Sequence, residues 1–342
     1  MIIDINNKKE WQNKYLQLDI EQRDIQYKLE YLEIFSKHEN SEPLLFFYEN
    51  NDGFVYYPFL KRKIFETEYY DITSQYGYGG PLYKVKGNKT NLLSEFRKKF
   101  NIYCDENNII SEFIRFHPMI KNYKGLDFDM ECINISEVIY VDLTKSEEEI
   151  LKNYKYNNRK SINKAIRAEV ETFIDDDIEK FNSIYVETME RNQALKYYNF
   201  GKDFFEFFKT QLKNNSFYYF AKNKFEIIST ELVLLSSEYG HSYLGGTDSN
   251  YFNLCPNNLL KHGIIKELKR RGVKYFILGG GYKKNDGIFK YKKSFNEEGV
   301  LDFYIGKKIH DIKVYNKLVE EYEENYPEKK DINNGFFPLY RR

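Results

Sequence analysis

Apolar positions along the chain change period several times, and the changes mark a mixed α/β protein. Near the start, Lys8–Tyr15 and Ile20–Phe35 read as helices. The runs LLFFY and FVYYPFL then flank Asn50-Asn51-Asp52-Gly53, which predicts a hairpin. The same arrangement recurs near the middle. FYYFA, a turn at Lys222–Lys224, FEIISTELVLL, a turn at Glu238–Gly240 and HSYLGG predict three strands in sequence. Each meander follows a helical region and precedes an amphipathic helix with a further strand. The weak repetition predicts two similar α/β units in tandem. The seam falls near Val141–Ser146, where VIYVDL runs into a basic helix, giving domains 1–143 and 144–342.

That basic segment begins with Ser146 and Glu149 at capping-box spacing. Ile150, Leu151, Tyr154, Ile162, Ala165 and Ile166 continue at helical spacing, so one helix is expected. Lys152, Lys155 and Arg159 line one stripe; Lys160, Lys164 and Arg167 line another. No carboxylate falls between Lys152 and Arg167, so a solvated face and a face for an anionic partner both fit. Farther on, Asn257–Arg271 reads as a helix with Leu259, Leu260, Ile264, Ile265 and Leu268 inward, Pro256 before it and Gly272 at its stop. Val273–Leu278 reads as a strand ending at Gly279, Gly280 and Gly281, where backbone can turn and a ligand can approach closely. Asp286-Gly287 marks a second turn into a basic aromatic strand ending at Phe295. On a strand, Lys290 and Lys292 would point to one face. A strand (VLDFYIG), a helix near Ile309–Asn325 and an extended piece (GFFPLY) close the reading.

Length and composition narrow the classes. A chain of 342 residues with 42% hydrophobic residues suits one large or two ordinary domains with real cores. No apolar run approaches the roughly 20 residues needed to span a bilayer. The opening MIIDINNKKEW lacks the apolar region of a secretory signal. The 3 cysteines form no CxxC pair and suit a reducing cytoplasm, the expected location. With 52 basic and 52 acidic residues, anion binding must come from local patches. The 5 histidines show no HExxH spacing, so no metal site is expected.

Several segments together resemble a known family. NNRKSINKA (157–165), the long stretch from Cys255 to Phe295, YGYGGP (76–81), RFHP (115–118), ISTELVLL (228–235) and YLGGT (243–247) are similar to the Fem-type aminoacyltransferases of the GNAT-like acyltransferase superfamily. The resemblance implies two GNAT-like domains in tandem and mixed sheets. With no long heptad run, the helical coiled arm of some Fem proteins is not expected. It implies transfer of an aminoacyl or acyl group to an amine of a phosphate-linked cell-envelope precursor of peptidoglycan or polysaccharide. The acceptor would be a nucleotide- or lipid-linked sugar or peptide, and peripheral membrane association is compatible with it. The donor would be a co-substrate, charged tRNA or acyl-CoA, with no tightly bound cofactor.

The resemblance also places a functional lysine in the pair Tyr291-Lys292, between Gly287 and Phe295. Lys292 would stabilise negative charge on the acyl carbonyl, with Lys290 beside it. Glu231 lies inside an otherwise apolar strand, where an ionised carboxylate needs a partner or a role. Proton acceptor and structural ion pair are both open. Arg159, Lys160 and Lys164 are candidates for phosphate, and Tyr76, Tyr78 and Tyr243 for the sugar or nucleotide. Arg115 is a candidate for phosphate or for a buried carboxylate. Ordinary GNAT enzymes cradle the CoA pyrophosphate in a glycine loop at a helix N-terminus. The helix here opens CPNNLLKHG, without that loop, which weighs against acetyl-CoA. From a different class, the competing reading is a non-catalytic GNAT-like module binding an anionic glycan precursor or RNA.

Overall fold

Alternating strands and apolar-faced helices fold into two compact units, and their strands belong to one 13-stranded mixed sheet. A computed structural model describes residues 1–193, 198, 200–283, 285–329 and 335–342. One unit comprises Met1–Gln22, Gln26–Ile135 and Asp302–Arg342; the other comprises Arg23–Ile25 and Ser136–Leu301. The segment from Asp302 to Arg342 groups with the first unit.

The chain order is β1 (Ile2–Ile3), α1 (Lys8–Tyr15), α2 (Leu29–His38), β2 (Ser41–Asn50), β3 (Gly53–Lys63), β4 (Tyr70–Thr73), β5 (Leu82–Val85), α3 (Lys89–Glu106), β6 (Ile109–Arg115) and β7 (Glu131–Asp142). It continues with α4 (Glu147–Asn153), α5 (Tyr156–Arg167), β8 (Val170–Asp175), α6 (Ile178–Arg191), α7 (Lys202–Gln211), β9 (Ser216–Asn223), β10 (Glu226–Leu235) and β11 (Tyr239–Thr247). The last elements are α8 (Pro256–Arg270), β12 (Tyr275–Gly279), α9 (Gly287–Lys293), β13 (Val300–Ile309) and α10 (Ile312–Asn325).

In the first unit the expected hairpin forms, with Asn50 opposite Gly53. β3 pairs with β4, β4 runs parallel to β6, and β6 pairs with β13. α3 buries Leu92, Phe96 and Phe100 against Phe46, Tyr57 and Phe59. Tyr315 and Leu318 of α10 cluster with Ile110 and Tyr340. In the second unit β8, β9, β10 and β11 are antiparallel neighbours, β11 runs parallel to β12, and β12 pairs with β7. Phe217, Tyr219 and Val233 join Leu260, Ile264 and Leu268 of α8 and Ile162 of α5 in one core. Tyr218 points the other way, onto Phe181 of α6, as strand alternation requires.

Four expected elements differ. Ile20–Phe35 is helical as α2 only from Leu29, preceded by short 3₁₀ turns. The single basic helix is two, α4 and α5, because Tyr154 and Lys155 are extended, with ψ of 139° and 146°. The Lys155 amide there donates to the Ser294 carbonyl at 2.8 Å instead of continuing a helix. The basic strand after Asp286 is the helix α9, because the Asp286 carboxylate caps it by accepting from the Phe289 amide at 2.7 Å. The closing GFFPLY forms no strand; Leu339–Arg341 is a 3₁₀ turn with Tyr340 buried. Among the described residues the longest helix is α3, of 18 residues. Among them no helix is long and apolar enough to cross a membrane.

Candidate acyl-transfer site

Strand periodicity puts Glu231, Val233 and Leu235 on one face of β10, and the core places that face under α8. On α8, Lys261 sits three, four and seven residues before Ile264, Ile265 and Leu268, so it shares their inward stripe. The two side chains meet. Lys261 Nζ donates to Glu231 Oε2 and, at 2.6 Å, to Ser242 Oγ of β11. Both side chains are buried, at 5% and 7% exposure. Glu231 Oε1 is also buried and has no hydrogen-bond partner among the described residues. Burial pushes the Lys261 ammonium below its ordinary range, and Glu231 opposes the shift.

The strands beside this pair open a gap. β11 pairs with β12 only from Tyr239–Tyr275 to His241–Ile277. Its register with β10 slips between Leu232–Leu244 and Val233–Ser242, leaving Tyr243 as a bulge residue. Bulges re-aim side chains and end pairing, often beside functional sites. β12 ends at the first of the three glycines. Gly279 has φ +77°, and a Cβ there would stand 3.2 Å from Lys292 Nζ. A Cβ on Gly280 would stand 2.7 Å from the Glu137 carbonyl, so close backbone approach requires glycine.

α9 returns Lys292 to this turn, where Nζ donates to the Gly280 carbonyl at 2.7 Å. Two of its three N–H bonds remain for other acceptors. Burial first, then repulsion from Lys261, push the Lys292 ammonium down to about 8; Glu231 and Asp286 partly offset this. Tyr291 anchors the helix: its hydroxyl donates to the Asn257 carbonyl at 3.0 Å and its ring meets Phe295 edge-on. Glu231 and Lys261 thus form a buried pair, and Lys292 lies close enough for both of their charges to act on it.

The other sequence candidates lie elsewhere or act differently. Lys290 is exposed, and on a helix it lies about 200° around from Lys292, not on the same face. Arg159 Nη1 donates to the carbonyls of Leu151, Lys152 and Tyr154 and so caps α4. It does not converge with Lys160 and Lys164. Those two are exposed, and among the described residues neither is in an ion pair; Lys160 lies over the Tyr156 ring. Tyr243 packs 5.6 Å from Phe208 of α7, on the sheet face opposite α8. In the first unit, Tyr76 packs on Phe35, while buried Tyr78 meets His117 and Phe303. Among the described residues Arg115 finds no carboxylate, and it lies 4.9 Å over the Phe113 ring. Lys261 and Ser242 were missed. The available signal was a lone lysine on the apolar stripe of α8.

Residues 152–293 match a family model described as acetyltransferase (GNAT) domain. No curated protein matches the chain. Among solved structures, FemX covers 93% of this chain and 99% of its own at 11% identity, with a TM-score of 0.70. L-PGS from Bacillus licheniformis covers 93% and 96% at 12% identity, with a TM-score of 0.57. The C-terminal domain of a putative lysylphosphatidylglycerol synthetase from Agrobacterium fabrum covers 88% and 92% at 12% identity, again with a TM-score of 0.57. At these identities the likeness is one of fold, and it extends over nearly the whole chain. Residues 152–293 thus match the GNAT acetyltransferase domain, within a chain whose fold is similar to that of FemX over 93% of its length.

Proposed function

We propose that the second unit transfers an acyl or aminoacyl group from an activated ester or thioester to an amine of an anionic, phosphate-linked envelope precursor. One observation carries the reading: the buried Oε1 of Glu231 has no hydrogen-bond partner among the described residues, while Lys261 holds Oε2 and Lys292 lies close enough for both charges to act on it. In this reaction the amine nitrogen attacks the acyl carbonyl and forms the new C–N bond. The carbonyl electron pair moves to oxygen, where the Lys292 ammonium stabilises it. The amine loses a proton to Glu231 Oε1, and collapse of the intermediate expels the donor's alkoxide or thiolate, which takes up a proton. The sequence resemblance to the Fem-type aminoacyltransferases supports an aminoacyl donor such as charged tRNA. Acyl-CoA is the competing donor, and Pro256 at the first turn of α8 leaves that helix end one N–H short of a phosphate cradle. The competing reading is a non-catalytic module binding an anionic glycan precursor or RNA. Incubation with charged tRNA or acyl-CoA and nucleotide- or lipid-linked amine acceptors should give a product with one new amide by mass spectrometry. No product across both donor classes would remove the reading.

On the same reading Lys160 and Lys164 of α5 hold acceptor phosphate. The double change Lys160→Ala, Lys164→Ala should raise acceptor KM roughly threefold to tenfold at low salt and leave kcat unchanged, as expected for exposed charge contacts. The difference should vanish near molar salt. An unchanged KM at low ionic strength removes these two residues from the acceptor site.

A further inference from the structure

The first unit contains a pocket of about 730 Å³. Its apolar walls include Phe113, Ile305, Phe337 and Tyr322. That size and lining suit a small-molecule ligand rather than a water-filled crevice. Four arginines line it, and three are neutralised. Arg62 pairs with Glu39 and with one oxygen of buried Asp71, Arg341 takes the other oxygen of Asp71, and Arg342 pairs with Glu323. Arg115 differs. It ends β6 opposite Ile305 of β13, and its amide is held by Ser74 Oγ at 3.0 Å. One face of its guanidinium is covered by the Phe113 ring at 4.9 Å. None of its side-chain N–H groups has an acceptor among the described residues. A stacked guanidinium keeps its donor edge free, and that edge matches two oxygens of a phosphate.

We propose that this pocket binds a phosphate monoester with an aromatic or apolar body: Arg115 takes the phosphate through its two-donor edge, and the Phe113, Phe337 and Ile305 walls take the body. The proposal rests on residues of the first unit alone and stands whether or not the second unit transfers acyl groups.

Titration of the full chain with 1-naphthyl phosphate, followed calorimetrically, should show one saturable site. Naphthol and inorganic phosphate, each carrying half of the recognition, should bind at least tenfold more weakly. Arg115→Gln should weaken 1-naphthyl phosphate roughly 10- to 100-fold, the range for losing charge-assisted hydrogen bonds. Arg115→Lys should fall between, because it keeps charge and loses the fork. A measurement on the unaltered chain guards against a folding defect: phenylglyoxal should modify Arg115, and 1-naphthyl phosphate should protect it, by peptide mass mapping. Vesicles of phosphatidic acid in phosphatidylcholine give the source of the head group. Arg115-dependent vesicle binding assigns it to a lipid; binding of the soluble ester alone assigns it to a free metabolite. No saturable binding of either probe, or equal binding by Arg115→Gln with no protection of Arg115, would overturn the proposal.

Discussion

Replacing Lys292 with Met should lower acyl transfer by on the order of 10²–10³, the loss seen when one oxyanion donor is removed from an acyl-transfer site. The side chain is held at its aliphatic stem by α9 and at its tip by the Gly280 carbonyl, so its ammonium is in position before the donor arrives. Pre-organised charge of this kind acts on the transition state more than on the bound substrate, so kcat should fall and donor KM should change little. Thermal stability should be kept, because Met fills the stem's volume and removes a charge that burial and Lys261 both disfavour. The same environment sets the pH dependence. A lysine lowered to about 8 loses its charge through that pH, so turnover in the unaltered enzyme should decline as pH rises past about 8. Stability moves the opposite way. The unfolded chain binds this proton more tightly than the folded one, so the penalty for burying Lys292 fades between about pH 8 and about 10.5. Normal turnover in Lys292→Met with a large drop in melting temperature would show a structural lysine.

Replacing Lys261 with Met should have a different and equally large effect, on folding. The substitution removes one partner of a buried ion pair and leaves the Glu231 carboxylate, at 5% residue exposure, without its hydrogen-bonded countercharge. Breaking such a pair costs roughly 3–5 kcal/mol, whereas replacing both partners with apolar groups is often neutral. Lys261→Met combined with Glu231→Leu should therefore recover most of the stability lost by Lys261→Met alone. Urea titration of the four proteins closes that cycle. Simple addition of the two single effects would show that the pair is not coupled.

Much of this was legible in the chain. The hairpin at Asn50–Gly53, the three-strand meander, the helix after Pro256 and the glycine turn after Leu278 rest on strong local punctuation, and each is present. The errors share a physical cause. Asp286-Gly287 reads as a turn, but the aspartate works equally well as a helix cap, and the tertiary partner of Lys292 decides. Tyr154 carries apolar periodicity through a break that exists because its ring packs on Phe295 and His262. Glu231 and Lys292 were visible as oddities, one acid in an apolar strand and one lysine beyond a glycine turn. Lys261 was hidden among the lysines of an amphipathic helix, although its position on the apolar stripe was the clue. Arg159 looked like the anion-binding fork because its neighbours are basic, yet its reach back to the end of α4 depends on a helix break that the sequence pattern conceals.

The central claim is that Glu231 Oε1 receives the acceptor's proton. Single-turnover transfer with saturating donor and acceptor, comparing the unaltered chain with Glu231→Gln, tests it most directly. Glutamine keeps the shape and an oxygen for Lys261 but cannot take the proton. The account predicts a chemical step slowed by at least about 10², the usual contribution of a positioned base, with melting temperature nearly kept. A Glu231→Gln protein that transfers at the unaltered rate would contradict it.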